Sequence, residues 1–295
     1  MYSNFVTLVD KIASITTPLL FSVIIIELLL LFIGKKIKLK KEGLTSFLCL
    51  ATGTVPYILF YAALEFQAMN WIYTNLSIWK LDNAWYTWLL CFVCYDFMWW
   101  IVHYAGHKVR ILWCIHGVHH TPKEMNMSVA IRGSVFDFIQ YFHVVAWLPI
   151  LGFNPYMVVA VDIISRLYGV FTHINEKRFR KTAFFNSFLI TPMLHRVHHS
   201  SNELYLDTNF SNMFSFWDKL FKTYQEEIDE VQPKYGITES EGKTINSENL
   251  ISSQFGLLKD LYKDLKYTPS WKNKIKLIFM PPDWSPDKKK IPTNN

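Results

Sequence analysis

The stretch DFMWWIVHYAGHKVRILWCIHGVHH, residues 96–120, decides the architecture: an apolar, aromatic helix runs into His103 and His107, and a second segment follows with His116, His119 and His120. Residues four apart on a helix share a face, with Cβ atoms about 5–6 Å apart, so His103 and His107 project together. The H-x-x-H-H spacing recurs at His195, His198 and His199, and His173 stands at the end of an apolar segment between the two copies. All ten histidines lie between 103 and 199, which a random scatter would not produce. Imidazoles at offsets of three and four can converge on one point, and they suit iron, zinc, copper or nickel. Eight or nine of them exceed the three or four ligands of a single zinc site and imply two metals in one shell. Neutral ligands leave the metal charge uncompensated, so carboxylates are expected to accept from the outward ring nitrogens. Asp96, seven residues before His103 and on its face, is the first such candidate. His143 lies outside every motif and reads as a packed or pathway histidine.

Outward from this stretch the chain belongs in a bilayer. Of its 295 residues 51% are hydrophobic and only 18% charged, and 23 Phe, 15 Tyr and 11 Trp supply rings suited to membrane interfaces. That balance excludes a disordered, collagenous or coiled-coil chain. Ile12 to Ile33 is long enough to span; it lacks a cleavage site and reads as a retained first span. Glu27 within it should face another helix or be protonated. Lys35, Lys36, Lys38, Lys40 and Lys41 follow at once and predict a cytosolic end. Thr45 to Leu64 predicts a second span, Glu65 to Asn83 an interfacial loop, and Trp85 to about Val102 a third span. Ser134–Gly152 and Pro155–Phe171, split by Gly152, Asn154 and Pro155, predict a helical hairpin that returns the chain to the side it left. The fold class is therefore an all-α integral membrane bundle of three spans and a hairpin, with a histidine-rich di-metal cap.

The net charge of +6 is carried by lysines beside apolar segments, so it points to a membrane surface and not to nucleic acid. Cys91 and Cys94 form C-x-x-C inside an apolar helix and read as small buried hydrophobes. Beyond 225 the chain has an acidic loop, an amphipathic stretch through Phe255, Leu258, Tyr262 and Leu265, and a basic, aromatic end from Trp271 to Trp284 that reads as an interfacial anchor. No H-E-x-x-H and no serine elbow is present, which argues against a zinc or serine hydrolase.

With H-x-x-x-H, H-x-x-H-H and H-x-x-H-H on apolar helices, the sequence resembles the fatty acid hydroxylase and sterol desaturase superfamily from about Tyr95 to Tyr224. Through WWIVHYAGH at 99–107, HGVHHTPKEMNMSVAIRGS at 116–134 and TPMLHRVHHSSNELYLDTNFSNMFSFWDKLFKTY at 191–224 it is most similar to the alkylglycerol-oxidising branch. The resemblance implies residues 1–224 as a membrane-embedded di-iron oxygenase region, with 225–295 as a cytosolic appendage. It implies two iron ions, replaceable by zinc on isolation, molecular oxygen as oxidant, and a lipid C–H bond as target. The lipid would be an alkylglycerol-type ether lipid or, alternatively, a sterol, fatty acid or carotenoid to be hydroxylated or desaturated. His103, His107, His116, His119, His120, His173, His195, His198 and His199 are the implied ligands, with Asp96, Glu124, Asp162 and Asn209 as candidate polar groups behind them. Asp162 stands where that branch has a histidine, four residues before Arg166, and Glu124 follows Lys123 where the branch has a different local order. The chain has no Rossmann glycines, flavin motif or C-x-x-C-H, so electrons must come from a separate donor. The resemblance allows a tetrahydropterin, a cytochrome b5 type partner or a ferredoxin. The class-different reading is a membrane metal-binding protein without catalysis. The host membrane would be a bacterial inner membrane or the endoplasmic reticulum.

Overall fold

The structure is a computed structural model that describes residues 2–36, 40–175, 183–237 and 242–286. Lys38, Lys177 and the last residues of the basic tail lie outside these, as does the side chain of His143, which is on a helix. The described residues form α-helices joined by short 3-10 and π turns, with two isolated β-bridges.

The membrane part is α1 (Tyr2–Ile33), α2 (Lys40–Pro56), α3 (Ala62–Asn75), α4 (Trp85–Lys108), α6 (Phe138–Leu151) and α7 (Pro155–Thr172), with α5 (Arg110–His120) inserted after α4. Ala13–Ile33, Trp85–Lys108 and Pro155–Thr172 are long and apolar enough to cross a membrane. The second expected span is instead a bent pair, Lys41–Leu59 and Ala63–Asn75, meeting at 55°. Pro56 and the π turn Tyr57–Tyr61 sit at the bend, where the regular hydrogen-bond ladder is interrupted. The expected interfacial loop is corrected accordingly: its first half, to Asn75, is the helix α3, and only 76–84 is non-helical. Polar residues scattered among aromatics suit an interfacial helix as well as a loop, so composition alone did not separate the two.

The hairpin is α6 and α7, joined through the turn expected from the sequence. Gly152 ends α6 at φ 99°, and a Cβ there would lie 2.1 Å from the Trp79 carbonyl, so both conformation and space demand glycine. Asn154 then caps α7, accepting from the Tyr156 amide at 3.0 Å, with Pro155 in the first turn. At 14 residues α6 is about 21 Å long and falls short of a bilayer core of about 30 Å. The 76–84 connection is bonded to the hairpin turn, Ile78 N–H to Ile150 O at 2.8 Å and Leu81 N–H to Gly152 O at 3.2 Å. These two turns share one end of the bundle, and the C-termini of α4 and α7 carry the histidines to the other.

Three apolar clusters hold the bundle. Met69, Cys91, Tyr95, Leu148, Met157 and Val161 join α3, α4, α6 and α7. Ile24, Met127, Ile131 and Val170 join α1 and α7 to the 3-10 turn Met127–Ile131. Leu257, Leu261 and Leu277, on α10 (Leu250–Tyr267) and α11 (Trp271–Phe279), pack on Cys114 of α5. The remaining helices, α8 (Pro192–His198) and α9 (Phe216–Leu220), are short and sit among loops.

Glu27 meets two backbone amides. Buried, it accepts the Met127 amide at 2.6 Å and the Asn175 amide at 2.8 Å, which ties α1 to both loops that leave the histidine helices. Each amide would be unpaired without it, and an orphaned buried donor costs about 1–3 kcal/mol. Glu27→Leu is therefore expected to lower unfolding stability in detergent by several kcal/mol and Glu27→Gln, which keeps one acceptor, by about 1–3 kcal/mol; equal midpoints for all three proteins would contradict this.

Candidate metal centre

Four elements bring nine histidines together. α4 supplies His103 and His107, α5 supplies His116, His119 and His120, the end of α7 supplies His173, and α8 with its C-cap supplies His195, His198 and His199. They divide into two groups, His103, His107, His116, His120 and His198 in one and His119, His173, His195 and His199 in the other. In each group the ligand atoms lie within 4.8 Å of one another. The division gives the repeated motif its meaning. His116 and His120, four apart, go to the first group while His119 goes to the second; His195 and His199, four apart, go to the second while His198 goes to the first. Adjacent histidines on a helix point about 100° apart, so each H-H pair serves both groups. The groups touch through His120 and His199, whose ring centroids are 4.3 Å apart.

Five of the nine rings have a partner on the outward side. His103 Nδ1 bonds the Phe210 carbonyl at 2.6 Å, His198 Nδ1 the Thr208 carbonyl at 2.8 Å and His173 Nδ1 the Gly169 carbonyl at 2.6 Å. His107 Nδ1 faces Asp207 at 3.5 Å, and His119 is hydrogen-bonded to the backbone at Val129 and Arg132. A ring whose Nδ1 donates to a carbonyl keeps a bare lone pair on Nε2. The Nε2 atoms of His103, His107 and His198 are buried with no hydrogen-bond partner. His173 Nε2 faces His119 Nε2 at 3.1 Å and His195 Nε2 at 2.9 Å, and His195 Nε2 faces His199 Nε2 at 3.1 Å. Where both rings donate outward, as His119 and His173 do, two lone pairs meet, an arrangement that a cation between them satisfies. Ligands about 2.0–2.1 Å from one ion lie about 2.9–3.4 Å from each other, which matches these separations. The residues therefore fit a pair of metal ions, with outward partners of the kind that orient metal-bound histidine.

One loop supplies most of those partners to the five-histidine group. Asp207 and Asn209 both have left-handed φ, 58° and 55°, so alternate residues turn back and the carbonyls of Thr208 and Phe210 reach His198 and His103. Non-glycine residues hold this conformation only when their surroundings dictate it. Here the Asn209 side chain donates to the Leu194 and Gln225 carbonyls and accepts the Gln225 amide, while Asp218 accepts the Phe210 and Ser211 amides. Asn209 thus acts on the histidines through the loop backbone. Asp96 likewise accepts the amides of Met213 and Phe214, at 2.8 and 3.0 Å, and fixes the far side of the same loop. Asp162 is engaged elsewhere, by Tyr95 Oη at 2.5 Å and Arg166 Nε at 2.7 Å. Glu124 is half-buried beyond the second motif.

Burial sets the protonation states. His116, His119, His120, His195, His198 and His199 lie well below the ordinary value of 6.5, first through burial and then through neighbouring imidazoles. His173 is lowered to about 3 by burial, against the pull of the Gly169 carbonyl. Burial acts to raise Asp207, but His107 and Lys108 outweigh it and hold the carboxyl at about 2. Because these folded histidines bind protons less readily than unfolded ones, their contribution is complete above about pH 6.5 and is lost as pH falls toward the folded values. Each histidine in that window costs about 1.4 kcal/mol per pH unit, so two of them already remove a large share of a typical stability. The metal-free protein is expected to melt at progressively lower temperature from pH 6.5 to 5, followed by tryptophan fluorescence; a flat profile would contradict the burial.

A cleft of about 360 Å³ opens beside the five-histidine group, floored by His107, His120 and His198 and walled by Trp113, Lys108 and Asp207. The fatty acid hydroxylase family model matches residues 88–223, the stretch that carries all nine histidines and the loop behind them. Human alkylglycerol monooxygenase is 31% identical over 280 residues, 93% of this chain and 60% of that protein.

Residues 88–223 are a fatty acid hydroxylase match.

Alkylglycerol monooxygenase of Danio rerio is 29% identical over 297 residues, 98% of this chain and 64% of its own length. A second line of similarity runs to the ornithine lipid hydroxylase of Rhizobium tropici, 26% over 154 residues, 51% of this chain and 45% of that one. The chain thus spans less than two thirds of the alkylglycerol enzymes it matches. No solved structure is significantly similar. In the fatty acid hydroxylase match the histidines carry the sequence signal, whereas Asp207, Asp218 and the three carbonyls that orient the rings do not. A backbone carbonyl has no residue type to read.

Proposed function

We propose that the chain is an oxygen-dependent membrane monooxygenase that inserts oxygen into a C–H bond of a long-chain lipid, an alkylglycerol-type ether lipid first. The observation that carries this reading is the pair of histidine groups, each with its ligand atoms converging within 4.8 Å, beside an open cleft. His103, His107, His116, His120 and His198 would hold one iron ion and His119, His173, His195 and His199 the other. The ions supply the binding and reduction of molecular oxygen. The Thr208, Phe210 and Gly169 carbonyls and Asp207 hold His198, His103, His173 and His107 each in one orientation, and burial excludes bulk water. The balance is one lipid C–H, one O₂, two electrons and two protons to one C–OH and one water, the electrons coming from a tetrahydropterin, cytochrome b5 or ferredoxin type donor.

The lysine block supports a cytosolic site. Lys41 N–H bonds Glu248, and Glu42 accepts the Lys123 amide, so the block lies at the histidine end of the bundle. A thiol introduced at Lys123 is expected to resist a membrane-impermeant reagent in intact cells. The test of the reaction is reconstituted, iron-loaded protein given oxygen, each donor type, and alkylglycerol, sterol or acyl lipid. Oxygen-dependent alkylglycerol loss supports the reading. Product from ornithine lipid, acyl or sterol substrates alone would move it to the hydroxylase and desaturase alternatives, for which the ornithine lipid relative speaks. No product with any donor would favour a membrane metal-binding protein.

A further inference from the structure

The cleft beside the five-histidine group is bounded by two segments that lead to exposed apolar side chains. Lys108, on its wall, is the last residue of α4, so the cleft opens at the end of a helix long and apolar enough to cross a membrane. One lip is the segment Pro281–Asp283, pinned there because the Arg110 amide donates to the Met280 carbonyl at 3.0 Å. That segment continues α11, which buries Leu277 against α10 and α5 but leaves Trp271 65% and Phe279 61% exposed, with Lys272, Lys274 and Lys276 along it. Aromatic and aliphatic groups on one face with lysines beside them suit an anionic membrane surface. The other lip is Leu206, 53% exposed, followed in the fold by α9 with its exposed Leu220 and Phe221. Trp217 packs at a tilt on Phe97 at 4.6 Å and Phe221 stacks on Trp100 at 4.3 Å. Phe97 is eleven residues before Lys108, about 16 Å along α4, so this side of the cap packs well down the apolar length of that helix. A cap standing wholly clear of the bilayer would leave those rings in water.

We propose that this cleft is the port through which the polar head of the lipid substrate reaches the histidine groups from the membrane interface. Its lining matches an amphiphile. The Lys108–Asp207 ion pair, Ser200 and Ser201 meet the hydroxyls and oxygens of a head group, while Trp113 and Leu206 meet the first methylenes. At about 360 Å³ and open on one side, the cleft has room for a glycerol head and the start of a chain. The identity of the lipid rests on the monooxygenase reading; the location of the port does not.

The test uses full-length, metal-free protein in phosphatidylcholine nanodiscs. A nitroxide on Leu206→Cys is expected to be relaxed several-fold more by oxygen, which partitions into lipid, than by an aqueous nickel chelate. An alkylglycerol carrying a diazirine beside its head is expected to cross-link within residues 200–207 and 281–283, and Leu206→Trp to reduce that yield at least fivefold. A label relaxed mainly by nickel, or cross-links confined to the helices near the α6–α7 turn, would overturn the port. So would a Leu206→Trp enzyme whose KM rises for the electron donor and not for the lipid, since the cleft would then admit the donor. Turnover without cross-linking in the cleft would sink the port and leave the monooxygenase reading standing. Cross-linking there without turnover in iron-loaded protein would support the port and sink that reading.

Discussion

Purified protein carrying His198→Ala is expected to hold about one transition metal ion per chain where the parent holds about two, and to oxidise lipid only at background. His119→Ala should do the same from the opposite side, because His198 belongs to the five-histidine group and His119 to the four-histidine group. Neither substitution should unfold the protein, since removing an imidazole from a centre without metal relieves the mutual crowding of bare ring nitrogens. The comparison that makes the result specific is Asp207→Asn. It leaves every imidazole in place while weakening the outward bond of His107 and the Lys108 ion pair, so it should retain both metals with affinity reduced about 10–100-fold. Metal content by mass spectrometry across chelator concentrations separates the three cases. Full retention of both metals in both histidine variants would remove the assignment of these groups.

How far the sequence reached follows from how local each feature is. The i, i+4 spacing of His103 and His107, or of His116 and His120, is fixed by one helix, and it was legible without a structure. Which member of each H-H pair serves which group was not, because that depends on how α5 and α8 face each other across the bundle. Asp96 stands out by its register with His103, but its partners are the amides of Met213 and Phe214, more than a hundred residues away. Asn209 likewise acts by pinning a loop. Glu27 was visible because a carboxylate inside an apolar run is costly, and the two amides that compensate it could not be seen. The helix to Asn75 was lost because its interfacial face carries both polar and aromatic residues. The fold class was therefore readable from apolar length and turn chemistry, and the supporting shell was not, since it is built from backbone groups brought together by tertiary contact.

Arg132→Met is expected to be the most destabilising single change outside the histidines, by at least about 3 kcal/mol. The guanidinium is 1% exposed and makes four hydrogen bonds, Nε to Ser46 Oγ at 3.2 Å, Nη1 to Thr121 Oγ1 at 3.0 Å, and Nη2 to the Glu42 carbonyl at 3.1 Å and the Ser247 carbonyl at 2.7 Å. It therefore joins the start of α2, the loop that leaves His120, and the approach to α10. Glu42 lies beside it with its carboxylate accepting the Lys123 amide and the Ser247 hydroxyl. Removing the cation strands two buried carbonyls, each worth about 1–3 kcal/mol, and leaves a buried carboxylate without its compensating charge. Lysine does not substitute, because one ammonium cannot meet four acceptors arranged around a planar fork. The loss should extend to the metal centre, since His119 is hydrogen-bonded to the backbone at Arg132 itself and at Val129. Chemical denaturation of metal-free protein should show the loss, and the metal-loaded form should show in addition a weaker hold on the four-histidine ion. The double variant Arg132→Met with Glu42→Gln should recover part of the stability, because the stranded charge is then gone. A double variant no more stable than Arg132→Met alone would mean that the hydrogen bonds, and not the charge, carry the network.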